Sequence, residues 1–196
     1  MEASAKPSQN RQFKKREFKL ASIYSRSLIT RSISIPITSI GKNIQETIEK
    51  NVVNQFEGKC IVEGFVKPNS TKIITYSSGL IKATNVLFEV VFECQICCPV
   101  EGMLIQCVAK NITKAGIRAE SAEESPSPVV VFITRDHHYN LPYFSTIKEN
   151  DKFNVRVIGQ RFELNDKYVS IIGDLVEPKD GINKKEPPKP RLVIED

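Results

Sequence analysis

The sequence predicts an α+β protein: an N-terminal antiparallel sheet with one helix, followed by a small C-terminal five-stranded β-barrel. Three observations carry that expectation. Residues 27–37 and 86–96 alternate apolar with polar side chains, the period of half-buried strands. Between them Ile40, Ile44, Ile48, Val52 and Phe56 recur every fourth residue, which gathers them on one face of a helix. Beyond Pro99 and Gly102 come five short apolar runs separated by turn residues, with no second helical period.

The first strand places Ile29, Ile33, Ile35 and Ile37 on one side, and Pro36, which cannot donate to a ladder, assigns it to a sheet edge. Ser39 or Asn43 can cap the helix, Asn43 with Glu46 has capping-box spacing, and Gly58 stops it. A second strand is expected over Cys60–Val66, closed by Pro68-Asn69-Ser70. A third, Lys72–Tyr76, leads into a turn at Ser77-Ser78-Gly79. The fourth is the clearest, with Val86, Phe88, Val90, Phe92, Cys94 and Ile96 on one parity. The barrel strands are expected over 103–112, 117–121, 129–134, 153–159 and 168–172. An acidic loop over 121–128 falls within the set, and its longest connection lies between the third and fourth strands. That pattern suits a Greek-key barrel of the OB type.

Composition bounds the rest. The chain has 196 residues, 40% hydrophobic and 26% charged, enough to build a core in one or two domains. No stretch approaches about 18 uncharged apolar residues, so no membrane contact is expected. The N-terminal residues lack the apolar centre of a signal peptide. The odd cysteine set Cys60, Cys94, Cys97, Cys98 and Cys107 points to free thiols in a reducing, intracellular compartment. The net charge of +5 is uneven: Lys6, Arg11, Lys14, Lys15, Arg16 and Lys19 meet only Glu2 and Glu17. Residues 1–20 therefore read as a flexible basic arm, and 177–196, with four prolines, as a Pro-rich charged tail. The folded body divides into an α+β unit over 21–100 and a barrel over 101–176.

Glu57-Gly58-Lys59-Cys60, Gly79-Leu80-Ile81, the Phe92–Gly102 junction and Asn111-Ile112-Thr113-Lys114-Ala115-Gly116-Ile117 follow one another along the folded body. Through these stretches the chain resembles the stalk subunit of multisubunit DNA-dependent RNA polymerases, the seventh subunit of the eukaryotic RNA polymerase II or its archaeal counterpart. Two features depart from the pattern: the basic arm and the acidic 121–128 loop. The abundance of isoleucine suggests an A+T-rich genome, such as that of a large DNA virus encoding its own polymerase.

The resemblance implies a non-catalytic accessory subunit without cofactor. Its α+β unit would dock on the polymerase core subunits near the clamp through Lys67, Pro68, Asn69 and Ser70 and through Ser77, Ser78 and Gly79. A smaller helical stalk partner would pack across both units. The barrel would contact single-stranded nascent RNA, and the protein would reside where the polymerase acts, the nucleus or a viral factory and virion. Among the barrel's cations and aromatics, Lys110, Lys114, Arg118, Arg135 and Tyr139 are the candidates for RNA, since such barrels bind single strands by charge and stacking. Phe132, Phe153 and Phe162 read equally well as core. The alternative is a free OB-fold RNA-binding factor of translation or RNA decay, which would not need the α+β unit.

Other chemistry finds less support. Cys94 and Cys97 form a lone CxxC; a structural zinc site would need a second pair, from Cys60 and Cys107 or from His137 and His138, whereas Cys94 fits the buried parity of its strand, so no metal is expected. An enzyme using Cys97, Cys98 and His137 would need a bound metal or an activated thiol. There is no Walker loop, HExxH or nucleophile elbow. His137-His138-Tyr139 reads instead as an exposed loop able to stack on a base.

Overall fold

The computed structural model describes residues 22–178, so the basic arm and nearly all of the Pro-rich tail lie outside the described residues. The first unit is organised around one long strand. β1 (Tyr24–Pro36) leads through a single 3-10 turn to α1 (Ile44–Phe56); then follow β2 (Cys60–Ile61), β3 (Gly64–Val66), β4 (Lys72–Tyr76), β5 (Leu80–Lys82) and β6 (Asn85–Cys97). β6 pairs along its whole length with β1, from Tyr24 opposite Cys97 to Pro36 opposite Asn85. Its other side is shared in turn by β5, β4 and β3. β1 is thus an edge strand, and Pro36 ends it where no donor is needed.

One face of this sheet is covered by α1. Ile48 and Val52 are buried against Ile29, Ile33, Ile35 and the even-numbered row Val86 to Ile96, with Ile40, Ile44 and Phe56 packed at the margin. The four-residue recurrence and the strand alternation therefore meet in one core. Asn43 is the N-cap, but its side chain bonds the Glu46 carboxylate at 3.1 Å instead of the helix backbone. The helix stops at Gly58, whose φ of +70° lies in the left-handed region.

One local expectation is corrected, and one short strand is added. The run Cys60–Val66 is not one strand but a hairpin: Cys60 faces Phe65 and Ile61 faces Gly64, with Val62 and Glu63 at the turn. Residues 80–82, to which the sequence reading assigns no element, pair with β6 as β5, and Ala83, with a φ of +55°, reverses the chain at once.

The second unit is a closed barrel of β7 (Leu104–Ile112), β8 (Gly116–Ser121), β9 (Val129–Thr134), β10 (Lys152–Arg161) and β11 (Val169–Val176). The order around it is β7-β8-β9-β11-β10, closing on β7. β11 lies parallel to β9, while the other pairings are antiparallel, the arrangement of an OB barrel. The connection from β9 to β10, expected to be irregular, holds a 3-10 turn and the short helix α2 (Pro142–Thr146).

The two units share a boundary that is itself packed. Ile23, Cys60, Phe65 and Cys97, all before residue 100, are buried in the same cluster as the barrel core. Cys97 reaches it because it lies on the face of β6 opposite to Cys94. The β10–β11 hairpin seals the contact, the Cys60 N–H donating to Asp166 O at 2.8 Å and the Asn165 N–H to Cys60 O at 2.9 Å. Among the described residues no helix is long and apolar enough to cross a membrane.

Candidate nucleic-acid interface

The candidate RNA residues fall on different parts of the barrel. Arg118 of β8 stands directly across from Phe132 of β9, and Asn111 of β7 across from Arg118, so these three form a row on the outer surface. Lys114 sits at the tip of the β7–β8 hairpin. Arg135 follows β9, donates its backbone N–H to Ala115 O at 2.9 Å and reaches Thr113 O with its guanidinium at 3.5 Å. Its guanidinium also lies 5.5 Å from the centre of the Phe144 ring. The fold thus brings Lys114, Arg118 and Arg135 around one end of the β8–β9 face.

Beside Arg118 lies a mainly apolar cleft of about 260 Å³, lined by Thr113, Ala115, Gly116, Arg118, Phe132 and Thr134 among others. Gly116 keeps its floor low. A Cβ there would come within 2.1 Å of Ile133 O, so the close approach of β8 to β9 admits no side chain.

Lys110 and Tyr139 are not part of this cleft. The β7–β8 register shifts between Ala109 and Asn111, and Lys110 turns toward a separate depression with Glu120 and residues 121–125. Tyr139 is 78% exposed on the β9–β10 connection. The expected exposed His–Tyr loop is corrected in one member: His138 is 2% exposed. Its Nδ1 bonds Thr134 O at 2.7 Å, its Nε2 accepts from the Leu175 N–H at 2.9 Å, and its ring stacks on Phe144. His138 pins the connection to the barrel, leaving His137 and Tyr139 outside.

Phe132 is the residue the sequence left undecided. Phe153 is core and Phe162 packs at its margin, but Phe132 is 42% exposed.

The candidate docking segments are two separate turns. In the first, the Lys67 N–H donates to Gln95 O and the Ser70 hydroxyl donates to Lys67 O. The Glu57 carboxylate, at the end of α1, accepts the N–H groups of Asn69 at 2.8 Å and Thr71 at 3.1 Å. Pro68 and Asn69 remain exposed. In the second, the Ser77 N–H donates to Glu89 O and the Glu89 N–H to Ser77 Oγ, beside exposed Ser78 and Gly79. The two attachment points, Glu89 and Gln95, lie six positions apart on β6, roughly 20 Å of strand. The apolar side chains of Ile74, Leu80 and Ile81, for which the sequence pattern gave no signal, stand exposed around the second turn.

Lys67 also joins the units. Its ammonium is 2.6 Å from Glu124 Oε1 and 4.7 Å above the Tyr24 ring, whose hydroxyl donates to Glu124 Oε2 at 2.6 Å. Glu123 accepts the Ile23 N–H and the Ser22 hydroxyl. The acidic 121–128 loop is therefore a strap from the barrel onto the start of β1. Burial raises the Glu124 carboxyl, but hydrogen bonds from Lys67 and Tyr24 and the Lys67 charge outweigh it and hold the group below the usual carboxylate range.

The cysteines do not assemble a site. Cys94 lies in the core under α1, and Cys60, Cys97 and Cys107 lie in the barrel core. Residues three apart on a strand point to opposite faces, so this CxxC cannot chelate through both sulfurs. Burial pushes the Cys97 and Cys107 thiols up to about 12, with the neighbouring Cys98 adding to the shift at Cys97. Among the described residues no three His, Cys, Asp or Glu side chains are gathered to hold a metal.

The chain, a helix-bearing sheet fused to an OB barrel through a common core, is similar in sequence to subunits of DNA-directed RNA polymerases. One is a DNA-directed RNA polymerase subunit of Acanthamoeba polyphaga mimivirus, 26% identical over 173 residues, spanning 80% of this chain and 83% of the relative. Another is subunit 7 of the DNA-directed RNA polymerase II of Arabidopsis thaliana, 23% identical over 173 residues, spanning 75% of this chain and 95% of the relative. No protein-family model matches the chain.

Proposed function

We propose that the protein is a non-catalytic stalk subunit of a DNA-dependent RNA polymerase, of the kind encoded by large DNA viruses. The observation that carries this reading is a likeness to polymerase subunits that runs through most of both chains and takes in the sheet unit as well as the barrel. In this reading the α+β unit docks on the core enzyme near the clamp through the turns at 67–70 and 77–79. A smaller helical partner packs across both units. The barrel lies along the emerging transcript and holds it through Lys114, Arg118 and Arg135, with Lys110 and Tyr139 on its flanks. The protein then acts where its polymerase acts, in a nucleus or a viral factory.

Affinity purification of the tagged chain from its native source tests the reading. Co-elution of the large polymerase subunits in stoichiometric amount is expected. Recovery of the chain with ribosomal or RNA-decay factors and without polymerase would replace it with a free RNA-binding factor.

A further inference from the structure

We propose that the cleft beside Phe132 is a pocket for a single unpaired base of the RNA, the base stacking on the Phe132 ring. The inference rests on the reading of the barrel as an RNA-contacting domain and adds to it where, and by what, a base is held. Four observations converge. Phe132 is large, aromatic and 42% exposed on a strand whose other residues are nearly all buried. The cleft at its side holds about 260 Å³, room for a flat ring. Its floor is backbone and small residues, because the packing of Gly116 on Ile133 excludes a side chain there. Arg118 lines the cleft opposite Phe132, and Lys114 and Arg135 follow its lining residues Thr113 and Thr134 in the chain, Arg135 reaching Thr113 O with its guanidinium.

An apolar slot lined by one cation, with two more close by in the chain, suits a polyanion that carries planar apolar faces. Every base has such a face, so the stack is tolerant of sequence, while the cations neutralise the flanking phosphates. An apolar peptide would use the slot but not the cations, and charge complementarity therefore favours the nucleotide.

The test uses the full-length protein and a single-stranded RNA with 2-aminopurine at one internal position, whose fluorescence falls when the base stacks. The wild-type chain should quench it on binding. Phe132→Leu keeps the apolar bulk and removes the ring. It should lose the quenching and bind roughly five- to a hundred-fold more weakly, with the salt dependence unchanged because the ring releases no counterion. Phe132→Tyr, which restores a ring at an exposed position, should restore both. If wild type binds the RNA while Phe132→Leu matches it in affinity and quenching, the pocket is not a base site, although the barrel still contacts RNA. If Phe132→Tyr behaves as Phe132→Leu, ring stacking is likewise overturned. Failure of the wild-type chain to bind RNA at all would overturn the underlying reading together with the pocket.

Discussion

Phe92 shows how far one side chain can be trusted to report on the fold. It is fully buried, lies on the even row of β6 and stacks on Phe56 of α1 with ring centres 5.5 Å apart. Truncating a buried Phe to Ala costs about 3–5 kcal/mol, a large share of the roughly 5–15 kcal/mol that holds a domain together. Phe92→Ala should therefore lower the urea midpoint sharply; a midpoint equal to wild type would mean that helix and sheet are not packed as described. His138 offers a finer test. Its Nε2 accepts the Leu175 N–H at 2.9 Å, which requires a free lone pair there, yet Asp174 Oδ1 lies 2.9 Å from the same atom. The ring cannot accept from the backbone and donate to the carboxylate through one nitrogen. His138→Ala strands two backbone groups, Thr134 O and Leu175 N–H, each worth about 1–3 kcal/mol when left unpaired and buried. Asp174→Ala removes only a half-exposed carboxylate. Thermal melts should show a clear loss for the first and little for the second; equal losses would mean that the ion pair, not the backbone bonds, holds this connection.

Among the elements, the acidic strap of residues 121–128 carries a testable electrostatic role. Glu124 is held in its charged form by Lys67 and Tyr24, so its folded pKa lies below the ordinary value. A carboxyl depressed on folding adds stability that is fully present above its unfolded pKa. That contribution is lost as the pH falls through the folded one. Glu124→Gln, similar in shape but uncharged, should melt below wild type at neutral pH. The gap should close as the medium is acidified and wild type gives up the same interaction. A gap independent of pH would show that the strap works through shape or neutral hydrogen bonds. The turn at 67–71 depends on its neighbours in the same way, since the Glu57 carboxylate at the end of α1 holds the N–H groups of Asn69 and Thr71. A docking role for this turn is best probed at exposed Pro68 and Asn69, because cutting out the whole turn would also release the helix end.

For the whole molecule, the separation of the proposed docking turns from the proposed RNA face predicts separable losses. Each phosphate neutralised on a single strand contributes about −0.7 to the log–log slope of binding against salt, so contacts by Lys114, Arg118 and Arg135 give a slope of roughly −2. Reversing Lys114 and Arg118 to Glu should flatten the slope and weaken binding to all sequences alike. Retention on immobilised polymerase should be unchanged. An unaltered slope would remove this face from the RNA path, and loss of retention would mean that the barrel also docks.

The sequence by itself determined the periodic parts of this protein. Alternation along 86–96 and the four-residue recurrence from Ile40 to Phe56 are local consequences of strand and helix geometry, so the long strands of the sheet, its helix and the barrel strands are legible in the sequence, while the short β2–β3 hairpin and β5 are not. Tertiary structure decided what surrounds each side chain. Val129 to Ile133 is an unbroken apolar run because β9 is covered even on its outward parity at Val130, 4% exposed; Phe132 emerges only where that cover ends, which no local period can signal. His138 and Tyr139 are neighbours in the chain, yet hydrogen bonds to Thr134 and Leu175 bury one and leave the other in solvent. The register shift between Ala109 and Asn111 turns Lys110 away from the cleft that Lys114 and Arg118 border. A site is made where separate strands converge, and which side chains share it depends on register and cover, quantities fixed by packing between segments distant in sequence.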